Sequence, residues 1–164
     1  MLFPPDFRYH GIDQFLRQRI KKAGYKLIGI SGVRMFDRAK VKDVIDLTKR
    51  ERWPYPIVMN MFIEAGVTGY EVNVARYEIV YGGEGGKLTV RGPKDFSVVP
   101  AANLNVDSLK RAIQRTQRGE TNYPEFLREI AAAGVHVYGV NMDSRTVTYR
   151  GAQGEMHVET VPQP

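Results

Sequence analysis

The sequence predicts an α+β fold made by tandem duplication: a helix-helix-three-strand unit used twice, with antiparallel meanders related by a pseudo-twofold axis and helices packed on one face. Three observations carry this expectation. Shifted by 68 positions, residues 36–90 lie on residues 104–158 without a gap, and 16 of the 55 aligned positions are identical. Among them are Lys42/Lys110, Tyr55/Tyr123, Pro56/Pro124, Gly66/Gly134, Tyr70/Tyr138, Asn73/Asn141 and Tyr81/Tyr149. In both copies the apolar spacing changes from helical to alternating at the same place, just after Gly66 and Gly134. Each copy also carries an apolar face that only its twin can cover, as expected of tandem units.

The first helix of each copy follows a short polar residue suited to the N-cap, Asp37 or Asn105. Its apolar residues are Val41, Val44 and Ile45 in one copy and Leu109, Ala112 and Ile113 in the other. A second helix begins at Tyr55-Pro56 and Tyr123-Pro124, where proline suits the first turn, and stops at Gly66 and Gly134. Tyr70, Val72 and Val74, like Tyr138, Val140 and Met142, then alternate with other residues as half-buried strands do. Two-residue turns at Ala75-Arg76 and Asp143-Ser144 would set Tyr70 opposite Tyr81 and Tyr138 opposite Tyr149. Glycine-rich turns lead into a third strand, with Leu88 and Val90 or Met156 and Val158 as its inward residues. One six-stranded sheet and two apposed sheets remain equal readings.

The 164 residues are organised as a basic N-terminal extension over 1–34 and a single domain over 35–164, whose repeats are joined by an extended linker over 91–103. That length is enough for one self-sufficient core. With no cysteine there is no disulfide, thiolate nucleophile or cysteine-bound metal, and the absence of a long apolar run points to a cytoplasmic protein. The net charge of +6 is not spread evenly: residues 1–53 hold 13 Lys/Arg against 6 Asp/Glu, while the remainder is almost neutral. A helix over 11–23 would gather Ile12, Phe15, Leu16, Ile20 and Ala23 on one stripe against the core and leave Arg17, Arg19, Lys21 and Lys22 as a solvated basic face, with a phosphate or anionic surface as the alternative contact, followed by a strand over 26–30.

The stretches WPYPIVMNMFIEAGVTGYEV (53–72) and GETNYPEFLREIAAAGVHVYGVNMDSRTVTYRGAQGE (119–155) resemble the YbcV-like family, domain of unknown function 1398. This is a group of small bacterial and phage-associated proteins often labelled phage envelope protein, and the resemblance covers residues 35–162. It implies no activity. Family members often carry cysteines and a tryptophan in the second copy where this chain has Leu127, Glu129 and the neighbours of Tyr138, so any shared thiol chemistry does not extend to it. Family members begin near the equivalent of Met35, which leaves residues 1–34 as either an accessory helix and strand or a segment ahead of the true start.

No catalytic signature stands out. Residues 82–86 form a glycine run followed by Lys87-Leu88 and a strand, which reads as a hairpin turn and not a phosphate loop, and Ser31 lacks a nucleophile elbow. His10, His136 and His157 have no metal-ligand spacing, and neither metal nor cofactor is expected. The polar sheet face is the candidate ligand surface. It displays Glu71, Asn73, Glu78, Lys87 and Thr89 from one copy and Asn141, Thr146, Thr148, Glu155 and His157 from the other. Glu71, Asn73, Asn141 and His157 are the residues singled out on it. The leading reading is a non-catalytic binding or interaction module of bacterial or phage origin with a protein or small-molecule partner. An undescribed hydrolase-like enzyme using Glu71, Asn141 or His157 and a nucleic-acid binder using the basic N-terminal segment are the alternatives. Open sheet edges leave homodimerisation as a further expectation, and no membrane association is expected.

Overall fold

A computed structural model describes residues 34–164 and, ahead of them, only Gln18 and Lys22. The expected strand over 26–30 and nearly all of the helix over 11–23, including Arg17, Arg19 and Lys21, lie outside the described residues; Lys22 is exposed.

The first copy consists of α1 (Arg38–Arg50), α2 (Tyr55–Glu64), β1 (Gly69–Asn73), β2 (Glu78–Gly83) and β3 (Gly86–Arg91). The second repeats the order as α3 (Val106–Gln117), α4 (Tyr123–Ala132), β4 (Val137–Asn141), β5 (Thr146–Arg150) and β6 (Met156–Thr160). Capping explains the helix starts. Asp37 Oδ1 accepts from Lys40 N, Asn105 Oδ1 from Ser108 N and Asn122 Oδ1 from Glu125 N. Both second helices end in a Schellman motif: Gly66 and Gly134 adopt φ of 85° and 92°, and the following Val67 and Val135 donate back to Phe62 and Ile130.

All six strands form one antiparallel sheet in the order β3-β2-β1-β4-β5-β6, which resolves the alternative left open by the sequence. The two copies meet at β1 and β4, where Tyr70 faces Val140, Glu71 faces Gly139 and Val72 faces Tyr138. Exchanging each residue for its repeat equivalent returns the same set of pairs, so the pseudo-twofold axis passes through the Glu71–Gly139 pair. One face of the sheet, carrying Tyr70, Val72, Ile79, Tyr81, Tyr138, Val140, Val147 and Tyr149, joins the helices' apolar residues in a single buried core. The other face carries no helix among the described residues.

The core is rich in tyrosine, and all seven described tyrosines are buried. The cross-strand pairs Tyr70–Tyr81 and Tyr138–Tyr149 form as expected, with ring centroids 5.2 and 5.4 Å apart. Each copy also ties its second helix to its first strand through phenols: Tyr55 Oη lies 2.5 Å from Tyr70 Oη, and Tyr123 Oη lies 2.6 Å from Tyr138 Oη. These bonds explain why Tyr55 and Tyr123 recur at a helix entry, where an apolar staple alone would not require a hydroxyl. Tyr138→Phe strands the Tyr123 hydroxyl in the core and is expected to cost about 1–3 kcal/mol. The Tyr123→Phe/Tyr138→Phe double variant should recover much of that loss. Chemical denaturation of the four proteins of this cycle measures it, and a double variant as unstable as the two single changes summed would contradict the pairing.

The hairpin turns clasp the copies together. Strands β1 and β2 part after Asn73 and Glu78, and β4 and β5 after Asn141 and Thr146, so the expected central pairs sit inside four-residue turns. The last turn residues, Tyr77 and Arg145, occupy positive φ of 48° and 53°. That conformation costs roughly 1 kcal/mol each for a non-glycine residue. Each reaches the other copy. The Tyr77 ring packs edge-on against Tyr123 at 5.2 Å and against Phe96 at 5.0 Å. Arg145 donates to Asn60 Oδ1 at 2.9 Å and to the carbonyls of Pro56, Val161 and Pro162.

The third strands depart from the repeat. Four residues separate the paired Gly82 and Lys87, but five separate the equivalent Arg150 and Met156. Tyr81 therefore faces Leu88, whereas Tyr149 faces His157 and not Met156. A one-residue slip turns every side chain of β6 over. Met156 and Val158, expected inside, are 61% and 52% exposed, and Val161 enters the core at 2%.

Candidate functional site

The strand pairings arrange the open face of the sheet in three rows. The middle row runs Thr89, Val80, Glu71, Gly139, Thr148, Val158, with the pseudo-twofold axis at its centre. One flanking row runs Lys87, Gly82, Gly69, Asn141, Thr146, Thr160, and the other Arg91, Glu78, Asn73, Val137, Arg150, Met156. Glycine stands at 139 in the middle row and at 69 and 82 in one flanking row, so these three positions project no side chain from the face.

Of the four singled-out residues, Glu71, Asn73 and Asn141 share this face. Glu71 is exposed on the axis, opposite the smallest residue. Asn73 and Asn141 have a local task that accounts for their identity in the repeat: Asn73 Oδ1 accepts from Arg76 N and Asn141 Oδ1 from Ser144 N, each at 3.1 Å. These bonds shape the turns that present Tyr77 and Arg145, as asparagine does wherever its side chain mimics a backbone turn. These bonds use only the Oδ1 atoms, and an asparagine amide nitrogen is a hydrogen-bond donor.

His157 is placed on the opposite, helix-facing side by the slip in β6. Its ring stacks on Tyr149 with centroids 6.5 Å apart, and Nε2 lies 2.7 Å from Glu159 Oε1. Glu155 leaves the face as well. It belongs to the β5–β6 turn, where its Oε2 accepts from Gln153 N at 2.9 Å, and backbone N–H groups, its own first, hold its carboxyl below the ordinary glutamate value. Among the charged groups of the face, Arg91 Nε pairs with Glu78 Oε2 at 2.9 Å, and the Arg150 guanidinium lies over Gly139. The result is a broad, mixed surface of small, hydroxyl and amide groups with charge at its axis and corners.

A second concentration of titratable groups, which the sequence reading did not find, lies on the helices of the second copy. Arg115 pairs with Glu129 and lies 3.6 Å from Glu120. The other oxygen of Glu129, Oε2, is buried without a hydrogen-bond partner. Desolvation pushes this carboxyl above the ordinary glutamate value, against the pull of the Arg115 guanidinium. The only hint in the sequence is a glutamate at i+4 from Glu125 on an otherwise apolar helix face. Among the described residues no three His, Asp or Glu side chains converge as metal ligands, and no described helix is long and apolar enough to cross a membrane.

No curated protein matches the chain. A family model described as "Protein of unknown function (DUF1398)" matches residues 42–160, which takes in both repeats from the second turn of α1 to the end of β6. The chain therefore belongs to the DUF1398 family.

Proposed function

We propose that the duplicated domain is a non-catalytic binding module, of bacterial or phage origin, that engages a protein partner across the open face of its sheet. One observation carries the reading. The helices of both copies lie on the same side, leaving a six-stranded surface with Glu71 at its centre opposite Gly139. An open antiparallel face carrying Thr and Asn offers hydrogen bonds over a wide area, which suits a macromolecular surface better than a small ligand. The separation of His157 from Glu71 and Asn141 on opposite faces supports binding over acid–base catalysis by that trio. Phage association follows only from the resemblance noted above.

Two matched variants test the reading. Thr148→Arg places a long cation on the middle row, while Lys110→Glu reverses an exposed charge on α3. Immobilised wild-type protein incubated with extract of the source cells should retain a partner that Lys110→Glu keeps and Thr148→Arg loses by tenfold or more. Loss with Lys110→Glu alone, or retention of nothing by the wild type, rejects the open face as the contact surface.

A further inference from the structure

The two outer strands of the sheet hold equivalent places in the repeat but differ at their edges. On β3 the outward-turned residues are Lys87, Thr89 and Arg91, and Arg38 Nη1 donates to the Lys87 carbonyl at 3.1 Å. Basic residues and an occupied carbonyl are devices by which a strand edge avoids pairing with another chain. On β6 the bonds from Gly151 N to Glu155 O and from Val161 N to Arg145 O set the alternation, so His157 and Glu159 bond inward to β5. Met156, Val158 and Thr160 turn their N–H and C=O groups outward with no charge, proline or bulge among them. Met156 and Val158 also make up two of the four large apolar side chains exposed among the described residues.

We propose that β6 pairs antiparallel with β6 of a second copy about a twofold axis at Val158, joining two six-stranded sheets edge to edge. The sequence of the strand favours its own copy as the occupant. In this register Met156 faces Thr160 of the second copy and Val158 faces its equivalent, closing six main-chain hydrogen bonds through the outward groups. On the other face His157 stands directly opposite Glu159 of the second copy, in the closer non-hydrogen-bonded pairing. The intrachain His157 Nε2–Glu159 Oε1 contact of 2.7 Å shows that these side chains already meet along the strand. A slip of two residues either way would set His157 against His157 or Glu159 against Glu159, and like groups directly opposite are unfavourable. One register is thus selected, as it is for β1 and β4 inside the chain.

Light scattering on the eluting full-length protein should give twice the 18.6 kDa chain mass. Val158→Pro removes the outward N–H at the axis, which no described residue of the monomer accepts, and should yield a monomer with an unchanged far-ultraviolet spectrum. Because the chain has no cysteine, Val158→Cys gives a second, independent reading. It should form a disulfide-linked dimer at least tenfold faster than Thr89→Cys, the equivalent position on β3. A wild type that is monomeric at its highest soluble concentration overturns the proposal, whether residues 1–33 or a foreign strand occupy β6. So does a Val158→Pro protein that is folded and as dimeric as wild type, or equal cross-linking of the two cysteine variants.

Discussion

Raising the pH through about 10 to 12 is expected to unfold the protein cooperatively, with tyrosinate absorbance appearing together with loss of the helical signal. Burial pushes the phenols of Tyr70, Tyr81, Tyr123 and Tyr138 well above their ordinary value; neighbouring tyrosines add to the shift at Tyr70, Tyr81 and Tyr138, while at Tyr123 the hydrogen bond with Tyr138 works against it. In the unfolded chain the same groups release their protons near pH 10. Raised native values mean that the stabilisation is fully present below that pH and is lost as the pH climbs from the unfolded towards the native value. Each such group removes about 1.4 kcal/mol per pH unit, so four together remove about 5 kcal/mol per unit. A domain stable by about 5–15 kcal/mol cannot withstand more than one to three such units. Absorbance and circular dichroism recorded along one alkaline titration check this. Ionisation of the core tyrosines with the far-ultraviolet signal intact would mean that these phenols are not held in a closed core.

The architecture was legible because duplication turns sequence into geometry. Identity at Gly66/Gly134 and Tyr70/Tyr138 marks the same helix end and the same strand position twice, so one correct assignment supplies two. Pairing of the two meanders was not legible, because β1 and β4 meet through main-chain groups that every residue carries, and side chains such as Glu71 and Gly139 do not report which strand lies beside them. The inversion of β6 was hidden for a related reason. Met156 and Val158 alternate with His157 as an inward-facing pair would, and only the extra residue in the β5–β6 turn decides which set faces the core.

Which side of the sheet each candidate residue occupies follows the expected alternation where the repeat holds and departs from it where β6 slips. Glu71, Asn73 and Asn141 follow from the alternation of β1 and β4, whereas His157 and Glu155 depend on the turn that the repeat does not preserve. Identity alone did not separate contact with a ligand from contact within the turn: Asn73 and Asn141 are identical, and both hold the N–H three residues on. The buried Oε2 of Glu129 was invisible for a different reason, since its burial depends on how α3 and α4 pack.

Gly134→Ala is expected to be among the most damaging single changes in the chain, costing about 3–5 kcal/mol and leaving much of the protein unfolded at ambient temperature. Two effects combine there. A φ of 92° is unfavourable for any residue with a Cβ, at roughly 1–2 kcal/mol. The added carbon would also stand 2.1 Å from the Asn103 carbonyl oxygen and 2.8 Å from Leu104 Cα, which are main chain and cannot turn aside. That segment is held in place, since Asn105 N donates to the Ala133 carbonyl at 2.7 Å, and moving it would pull the cap of α3 from the end of α4. The first copy repeats the arrangement, with the Met35 carbonyl oxygen 2.1 Å from a Cβ at Gly66. Two other glycines separate the causes. Gly154 shares the backbone conformation at φ 86° but has nothing within 4 Å of its Cβ position, so Gly154→Ala should cost about 1–2 kcal/mol. Gly82 has neither obstacle, and Gly82→Ala should be neutral or slightly stabilising, by about 0.5 kcal/mol, because it only restricts the unfolded chain. Urea denaturation of the three variants tests the order. A Gly134→Ala protein no less stable than Gly154→Ala would mean that the crossing main chain yields, and that each copy is not locked shut at the end of its second helix.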